Sequence, residues 1–408
     1  MTQVTFSECG PDRADRADIV VGIPPVGRGH VLSHSVEQAD LGLRLYFPDR
    51  QAVIIHSDHD LASEARDSFW TTKTRTPRLL LLPDRGVTGK GTLLRALFRK
   101  TLELKARACI ILDGNSKGVS PKWIRNLGEP LFNGFGFVAP LYTAHRFSSP
   151  LTDHVIYPLT RALYGRRVRQ PMGGSFGISG DLAGIYAEHP FWDDNVANAG
   201  IYVWMTTLAI CHNVRICQSV LGRPEPGGRN GPLEESPETF RQASGTLFSM
   251  MPHLSPFWKK VRWSRPTAVF GLCPGEPELR QPMEPVRTER EGAMETDLDP
   301  YRGLWEEVLG PESLSGLDDV LAKLPSRLEF PPELWARILF DYAVAHRTRG
   351  GASEEVLLSS LIPLYLLRRG AFLRQCRGVP ASHAEEYVER ECVAFEEAKA
   401  YLTERWRE

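Results

Sequence analysis

The chain lacks the short motifs that announce most catalytic chemistries. It contains no G-x-S-x-G and no G-x-G-x-x-G, which argues against a serine hydrolase and a standard dinucleotide dehydrogenase. His145, His154, His189 and His212 stand in no H-E-x-x-H or H-x-x-x-H spacing, which argues against a zinc hydrolase. The seven cysteines form no C-x-x-C pair, so neither a zinc cage nor a disulfide framework is indicated. Their odd number and the apolar neighbours of Cys109 and Cys217 predict reduced, buried thiols in a cytoplasmic protein. There is no excess of either charge: 49 basic against 50 acidic side chains leave a net charge of -1. A general nucleic-acid binder would need a basic excess, so none is expected as a partner. No run of about 18 apolar residues is present, so no membrane span is expected. The polar start of mixed charge shows no signal-peptide pattern. Repeats and low-complexity tracts are missing too.

What is present is length and periodicity. With 408 residues the chain exceeds the usual size of one domain. Residues 1–17 are polar and rich in Asp and Arg, which predicts a mobile arm. Short apolar runs at Ile19–Ile23, Val53–Ile55, Leu79–Leu82, Cys109–Leu112, Phe137–Leu141 and Val214–Leu221 predict strands. Helical spacing over 31–46, 89–107, 153–165 and 201–210 alternates with them. This order predicts an α/β fold with a doubly wound, mostly parallel sheet over residues 18–273. Residues 274–300 turn to Pro, Glu and Arg and predict a linker. From Tyr301 to Glu408 helical spacing takes over, with Trp335, Ile338, Leu339 and Tyr342 on one face and Leu357, Leu358, Leu361, Leu364 and Leu367 on another. That predicts a C-terminal all-α domain, packing on the sheet domain or on another subunit as a homo-oligomer.

The candidate chemistry gathers where strands end, because ligands of open α/β sheets bind outside the carboxyl ends of the strands. Asp113 emerges there, although Asp-Gly-Asn is also a turn sequence. Gly89-Lys90-Gly91 offers backbone N–H groups and a cation at a helix start, with Thr88 or Thr92 as its cap, yet it does not meet the P-loop pattern. Asp113 and Asn115 have D-x-N spacing, which holds a divalent cation only with help from substrate oxygens. Asp58 follows the second strand and has a turn role as its ordinary alternative. Arg161, Arg166, Arg167 and Arg169 form a basic run that suits phosphate or, more ordinarily, a solvated helix end. Gly173-Gly174 beside Pro171 marks a tight turn or a close approach to a ligand.

Several stretches in combination resemble a known family. They are Gly89-Lys90-Gly91, Asp113 followed by Ser120-Pro121-x-Trp123-Ile124, Tyr157 to Gly165, Arg169-Gln170-Pro171-Met172-Gly173-Gly174, and Gly200-Ile201-x-x-Trp204-Met205-Thr206-Thr207. Together they resemble the GT-A-fold nucleotide-sugar glycosyltransferases, in particular those similar to mannosylglycerate synthase and glucosyl-3-phosphoglycerate synthase, over residues 18–250. The resemblance implies transfer of a hexose from a nucleoside-diphosphate sugar to a small polar acceptor such as a glycerate, with retention of configuration. It implies that Pro24, Asp58, Lys90, Asp113 and Asn115 bind the nucleotide sugar. It also implies that Gly173, Gly174, Ser175 and Tyr202 fall at catalytic positions, and that Asp113 and Asn115 hold magnesium or manganese.

The chain departs from the family at polar positions. Asp113-Gly114-Asn115 stands for Asp-x-Asp, Ser175 for an acidic residue and Tyr202 for an Asp. Gly222–Gly231 carries no histidine where relatives place a metal ligand. Asn115 removes one charge and weakens the metal. Without a metal, Lys90 or the Arg161–Arg169 group would have to take the diphosphate charge. A second expectation follows: a catalytically weakened relative that binds nucleotide or sugar, or supports an active partner. His253, Glu225 and Asp194 are the groups to look for beside Asp113.

Overall fold

The structure, a computed structural model, describes residues 6–9, 15–25, 29–58, 64–83, 89–114, 116–142, 149–222, 236–271, 298–324, 328–349, 352–377 and 381–407. Thr88, Asn115, His145, Glu225 and nearly all of the linker expected over 274–300 lie outside them. Two compact units result. The first is Met1–Ala144, Val168–Pro232 and Thr267–Pro274; the second is His145–Arg167, Leu233–Pro266 and Gly275–Glu408. The helical unit thus takes residues 145–167 and 233–266 out of the stretch that the sequence pattern gives to the sheet.

The first unit is built on a nine-stranded sheet. Its strands are β1 (Phe6–Cys9), β2 (Ile19–Ile23), β3 (Ala52–Ser57), β4 (Arg78–Pro83), β5 (Ala108–Ile111), β6 (Phe137–Tyr142), β7 (Phe176–Ser179), β8 (Ile216–Gly222) and β9 (Ala268–Phe270). Their spatial order is β1-β4-β3-β2-β5-β7-β6-β8-β9. The β2–β3, β2–β5, β3–β4, β6–β8 and β8–β9 pairs are parallel. The β1–β4, β5–β7 and β6–β7 pairs are antiparallel. The expected α/β class, doubly wound and mostly parallel, is therefore what the chain forms.

The central strands are unbroken apolar runs because helices cover both of their faces. Every residue of β2 and β5 is buried. Their side chains join Leu32, Val36 and Leu43 of the helix Gly29–Tyr46 and Trp123, Ile124 and Leu127 of the helix Pro121–Phe132 in one core. From β2 the chain winds outward through β3 to β4, then returns to lay β5 on the other flank of β2. The strand order reverses between β2 and β5, and the carboxyl ends at such a switch point are where open α/β sheets bind ligands.

Two parts of the sheet differ from the sequence pattern. The arm expected over 1–17 contributes β1, whose Phe6 lies opposite Pro83. β7 runs antiparallel between β5 and β6, directly after the Gly173-Gly174 turn.

The second unit is helical. Its main elements are Tyr157–Tyr164, Pro237–His253, Pro332–Thr348, Ala352–Gln375 and Ala381–Glu397, closed by Lys399–Arg405. Trp335, Ile338, Leu339 and Tyr342 are buried, as are Leu357, Leu358, Leu361, Leu364 and Leu367. Buried ions accompany this core. Glu391 receives Arg368 Nη2 at 2.8 Å and lies 2.9 Å from His154 Nδ1. By length and mean hydropathy, 1.4, the helical stretch Ser353–Gln375 could cross a membrane. Its apolar residues are spread around the whole helix, and most of that surface is buried within the unit.

Candidate functional site

The site forms in the sheet unit, at the carboxyl edge shared by β2, β3 and β5. The register pairs Ile23 with His56 and Gly22 with Ile111, so Pro24, Asp58 and Asp113 all leave their strands at this edge. Pro24 and Asp58 are both buried. The Asp58 backbone N–H donates to Leu81 O at 3.3 Å, tying it to β4. His56 lies beneath, fully buried. Its Nδ1 donates to Ile23 O at 2.8 Å, which leaves Nε2 facing Asp58 Oδ2 at 3.8 Å.

Lys90 begins the helix Lys90–Glu103, and Gly89, not Thr88 or Thr92, stands at its cap position without a side-chain cap. The two flanking glycines are explained by packing. A Cβ on Gly91 would lie 1.9 Å from Val196 O, and one on Gly89 (φ 103°) would lie 2.4 Å from Ala197 O. Only a bare backbone lets the helix start approach the turn Asp194–Ala197 so closely. Packing thus accounts for both glycines, and Lys90 is the residue of the turn that it does not explain. Its ammonium sits 5.5 Å from the centroid of the Tyr202 ring, at the start of the helix Ile201–Cys211.

Lys90, Tyr202 and Asp113 are coupled electrostatically. Burial pulls the Lys90 pKa down, but Tyr202 and Asp113 outweigh it and hold it above the ordinary lysine value. Burial pushes the Tyr202 phenol up, Lys90 opposes and Asp113 adds. Lys90 and Tyr202 therefore titrate as one pair beside Asp113, each shifted by the other. The Tyr202 ring stacks on Phe176 at 5.7 Å, and the residue is 6% exposed. Among the described residues its hydroxyl completes no hydrogen bond; Lys90 attracts it without meeting hydrogen-bond geometry. A buried, unsatisfied hydroxyl costs about 1–3 kcal/mol, which a ligand oxygen would recover.

The Gly173-Gly174-Ser175 turn closes the site. Tyr142, at the end of β6, donates its hydroxyl to Gly173 O at 2.8 Å, and its backbone N–H donates to Gln170 Oε1 at 2.8 Å. Gly174 has φ 79°, and a Cβ there would lie 3.0 Å from Asp113 Oδ2. The Asp113 N–H donates to the buried Ser175 Oγ at 2.8 Å. Thr206 Oγ1 donates to Pro171 O at 2.9 Å, which locks the Tyr202 helix to the same turn.

The structure therefore brings together Pro24, Asp58, Lys90, Asp113, Gly173, Gly174, Ser175 and Tyr202 within one unit. Asn115 lies outside the described residues, as does Glu225. Asp194 is exposed. His253 ends the helix Pro237–His253 of the helical unit. Arg161, Arg166 and Arg167 belong to the helical unit, and only Arg169 to the sheet unit. Arg161 is neither a solvated helix end nor a spare cation. It is fully buried, with Nη2 2.8 Å from Glu389 Oε1 and Nε 3.0 Å from Glu396 Oε1. Tyr142 was not marked by any motif; its place at the carboxyl end of a strand parallel to β5 was the available signal. A separate groove of about 250 Å3, lined by Tyr46–Arg50, Glu129, Phe132 and Asn133, lies where helices end and strands begin, away from Asp113.

The described residues contain no group of three or more His, Cys, Asp or Glu able to hold an ion. Asp113 is a single carboxylate with Lys90 in its field, so a divalent cation there would draw most of its oxygens from a bound ligand.

The class defined so far is an α/β protein with charged residues gathered at its switch point. No family model matches the chain, and no curated protein matches it. Among solved structures it is similar to one described as a mycobacterial protein, with TM-score 0.44 and 21% identity over 57% of this chain and 74% of that one. It is also similar to glucosyl-3-phosphoglycerate synthase from Mycobacterium tuberculosis. The form with Mn2+, UDP and phosphoglyceric acid gives TM-score 0.42 and 21% identity over 57% and 78% of the two chains. The form with Mg2+ and UDP gives 0.43 and 22% over 57% and 79%. That enzyme is a GT-A glycosyltransferase, the kind the sequence motifs resemble. The likeness is one of chain path, and no residue's role is carried across it.

Proposed function

We propose that the sheet unit binds a nucleoside-diphosphate sugar and transfers its hexose to a small polar acceptor such as a glycerate. The observation that carries this reading is the convergence of the Lys90 ammonium, the unsatisfied Tyr202 hydroxyl and the Asp113 carboxylate at the switch-point edge. In the reaction the bond from the anomeric carbon to the diphosphate oxygen breaks and a bond to the acceptor hydroxyl oxygen forms. The acceptor proton goes to the departing diphosphate. Negative charge grows on that diphosphate, and a preorganised cation in a partly dry site stabilises it. In this reading Lys90 does so, and Tyr202 donates alongside it. Asp113 accepts from a ribose hydroxyl, which a diphosphate-bearing ligand brings to the same edge. Retention of configuration rests on the sequence resemblance.

The second reading is a weakened relative that binds nucleotide or sugar without turnover, or supports an active partner. It is favoured by Ser175 and Tyr202, which supply no carboxylate beside Gly174. Thermal-shift titration with nucleoside diphosphates and their sugars, with and without metal, tests both readings. A stabilising ligand whose affinity falls in Asp113→Ala, together with release of sugar or transfer to glycerate, supports the transferase. Binding without turnover favours the weakened relative. Equal affinity in Asp113→Ala would remove the nucleotide site.

A further inference from the structure

The helical unit carries a surface that the proposed reaction does not use. The stretch Trp258-Lys259-Lys260-Val261-Arg262-Trp263-Ser264-Arg265 follows the short helix Ser255–Trp258. Its residues divide cleanly into an inner and an outer set. Trp258 is fully buried and donates Nε1–H to Met251 O at 2.9 Å. Val261 O accepts from Lys399 Nζ at 2.6 Å. Ser264 Oγ accepts from Arg161 Nε and Arg167 Nε, each at 3.0 Å, while its N–H donates to Glu396 Oε1 at 3.1 Å. The Arg265 N–H donates to Gly165 O at 3.0 Å and its carbonyl accepts from Arg167 N at 3.1 Å, which ties the stretch to Gly165–Arg167.

The outer set is Lys259, Lys260, Arg262, Trp263 and Arg265, all exposed, with the half-buried Arg166 bridged to Arg265. Trp263 is 60% exposed and is the only aromatic among the exposed large hydrophobic residues of the described chain. Among the described residues none of these cations pairs with a carboxylate. The nearby acids are spent on the inner set: Glu396 takes Arg161 and Ser264, and Glu389 takes Arg161 and Arg167. In a chain whose net charge is only -1, this is a local concentration of positive charge, unpaired among the described residues, on a pinned backbone.

We propose that this face docks the protein on an anionic phospholipid surface, with the cations at the headgroups and Trp263 inserted at the interface. Lys and Arg clusters are drawn to anionic lipid, and an indole among them sits at headgroup depth. Single-stranded nucleic acid is the rival polyanion. It is read on successive aromatic platforms, and here one indole stands alone. A bilayer needs no helix to cross it, and the inference stands independently of the transferase reading.

The test uses the full chain and extruded vesicles of neutral phosphatidylcholine, with or without about one-third phosphatidylserine. Co-sedimentation should occur with the anionic vesicles, be lost in about 0.5 M salt, and fall about tenfold or more in Lys260→Glu/Arg262→Glu. Brominated lipid should quench part of the tryptophan emission of the wild type and not that part in Trp263→Phe. Circular dichroism melting of each variant establishes that folding is retained, and Trp263→Phe, a solvent-exposed change, keeps the test available if charge reversal unfolds the chain. No preference for anionic over neutral vesicles overturns the proposal. So does quenching that persists unchanged in Trp263→Phe, or tighter binding to a single-stranded oligonucleotide than to the anionic vesicles.

Discussion

The backbone N–H of Asp113 donates to the side-chain oxygen of Ser175 at 2.8 Å. This bond fixes the end of β5 against the start of β7, two strands that run antiparallel. It also accounts for the position where the resembled family places an acidic residue. Here Ser175 is fully buried and its oxygen is occupied by the backbone it orients. The residue positions Asp113, and the proposed chemistry falls to Lys90, Tyr202 and Asp113 itself.

Replacing Tyr202 by phenylalanine should separate binding from stability. The hydroxyl is buried and completes no hydrogen bond among the described residues, so its removal gives up only its attraction for Lys90 and no completed bond. The melting temperature of the unliganded variant should be unchanged or higher. Affinity for a nucleoside diphosphate should fall. A clear loss of stability without ligand, measured by calorimetry, would mean the hydroxyl already has a protein partner.

Lys90→Ala should raise the dissociation constant for a nucleoside diphosphate about tenfold to hundredfold, the worth of a hydrogen bond to a charged group. Binding to the wild type should survive a chelator, because the described residues offer one carboxylate and an ammonium where a divalent ion would sit. Isothermal titration with and without EDTA checks both. A steep requirement for magnesium or manganese would show that Asn115 and its neighbours complete a metal site.

Gly174→Ala tests how tightly the turn and the carboxylate are fitted. The backbone there has φ 79°, which costs an alanine roughly 1–2 kcal/mol. The added methyl would stand 3.0 Å from Asp113 Oδ2 and 3.1 Å from its Cβ, so Asp113 must shift. Denaturant melts should show the stability loss, and nucleotide titration a weakened site. Unchanged affinity would detach Asp113 from the ligand.

Glu391 gives a pH prediction in the helical unit. Burial alone would push its carboxyl up, but Arg368 and His154 outweigh that and hold it below the ordinary 4.5. A depressed folded-state pKa contributes stability that is complete above the unfolded value and drains away as pH falls through the folded one. Glu391→Gln should cost about 3–5 kcal/mol at neutral pH, since it strands Arg368 in the core. The gap between variant and wild type should narrow below pH 4.5, as urea melts across that range would show. A gap independent of pH would mean that Glu391 is protonated in the folded protein.

Much of the sheet was legible because parallel strands buried on both faces must be unbroken apolar runs. Ile19–Ile23 and the runs within Ala52–Ser57, Arg78–Pro83 and Ala108–Ile111 formed where expected, and their order alone put Asp113 at the carboxyl edge of the sheet. β7 was not legible, since Phe176–Ser179 is short and follows two glycines that signal a turn. The basic run was misleading for a different reason. Side-chain spacing cannot reveal that Glu389 and Glu396, more than two hundred residues on, neutralise Arg161. The Gly-Lys-Gly turn was half legible. Its lysine reaches the site, while its glycines answer to the carbonyls of Val196 and Ala197, a demand that only the folded chain displays.

The pairing of β1 with β4 has a practical corollary. Phe6–Cys9 covers the outer flank of Arg78–Pro83, whose Leu80, Leu81 and Leu82 are buried, and Lys100 clasps Glu8 at 2.5 Å from the neighbouring helix. A chain trimmed to begin at Asp15 would leave that flank as an open row of backbone donors and acceptors beside leucine, a template for strand exchange between molecules. Shortened forms should therefore self-associate more readily than the full chain, and affinity tags are better carried at the other terminus.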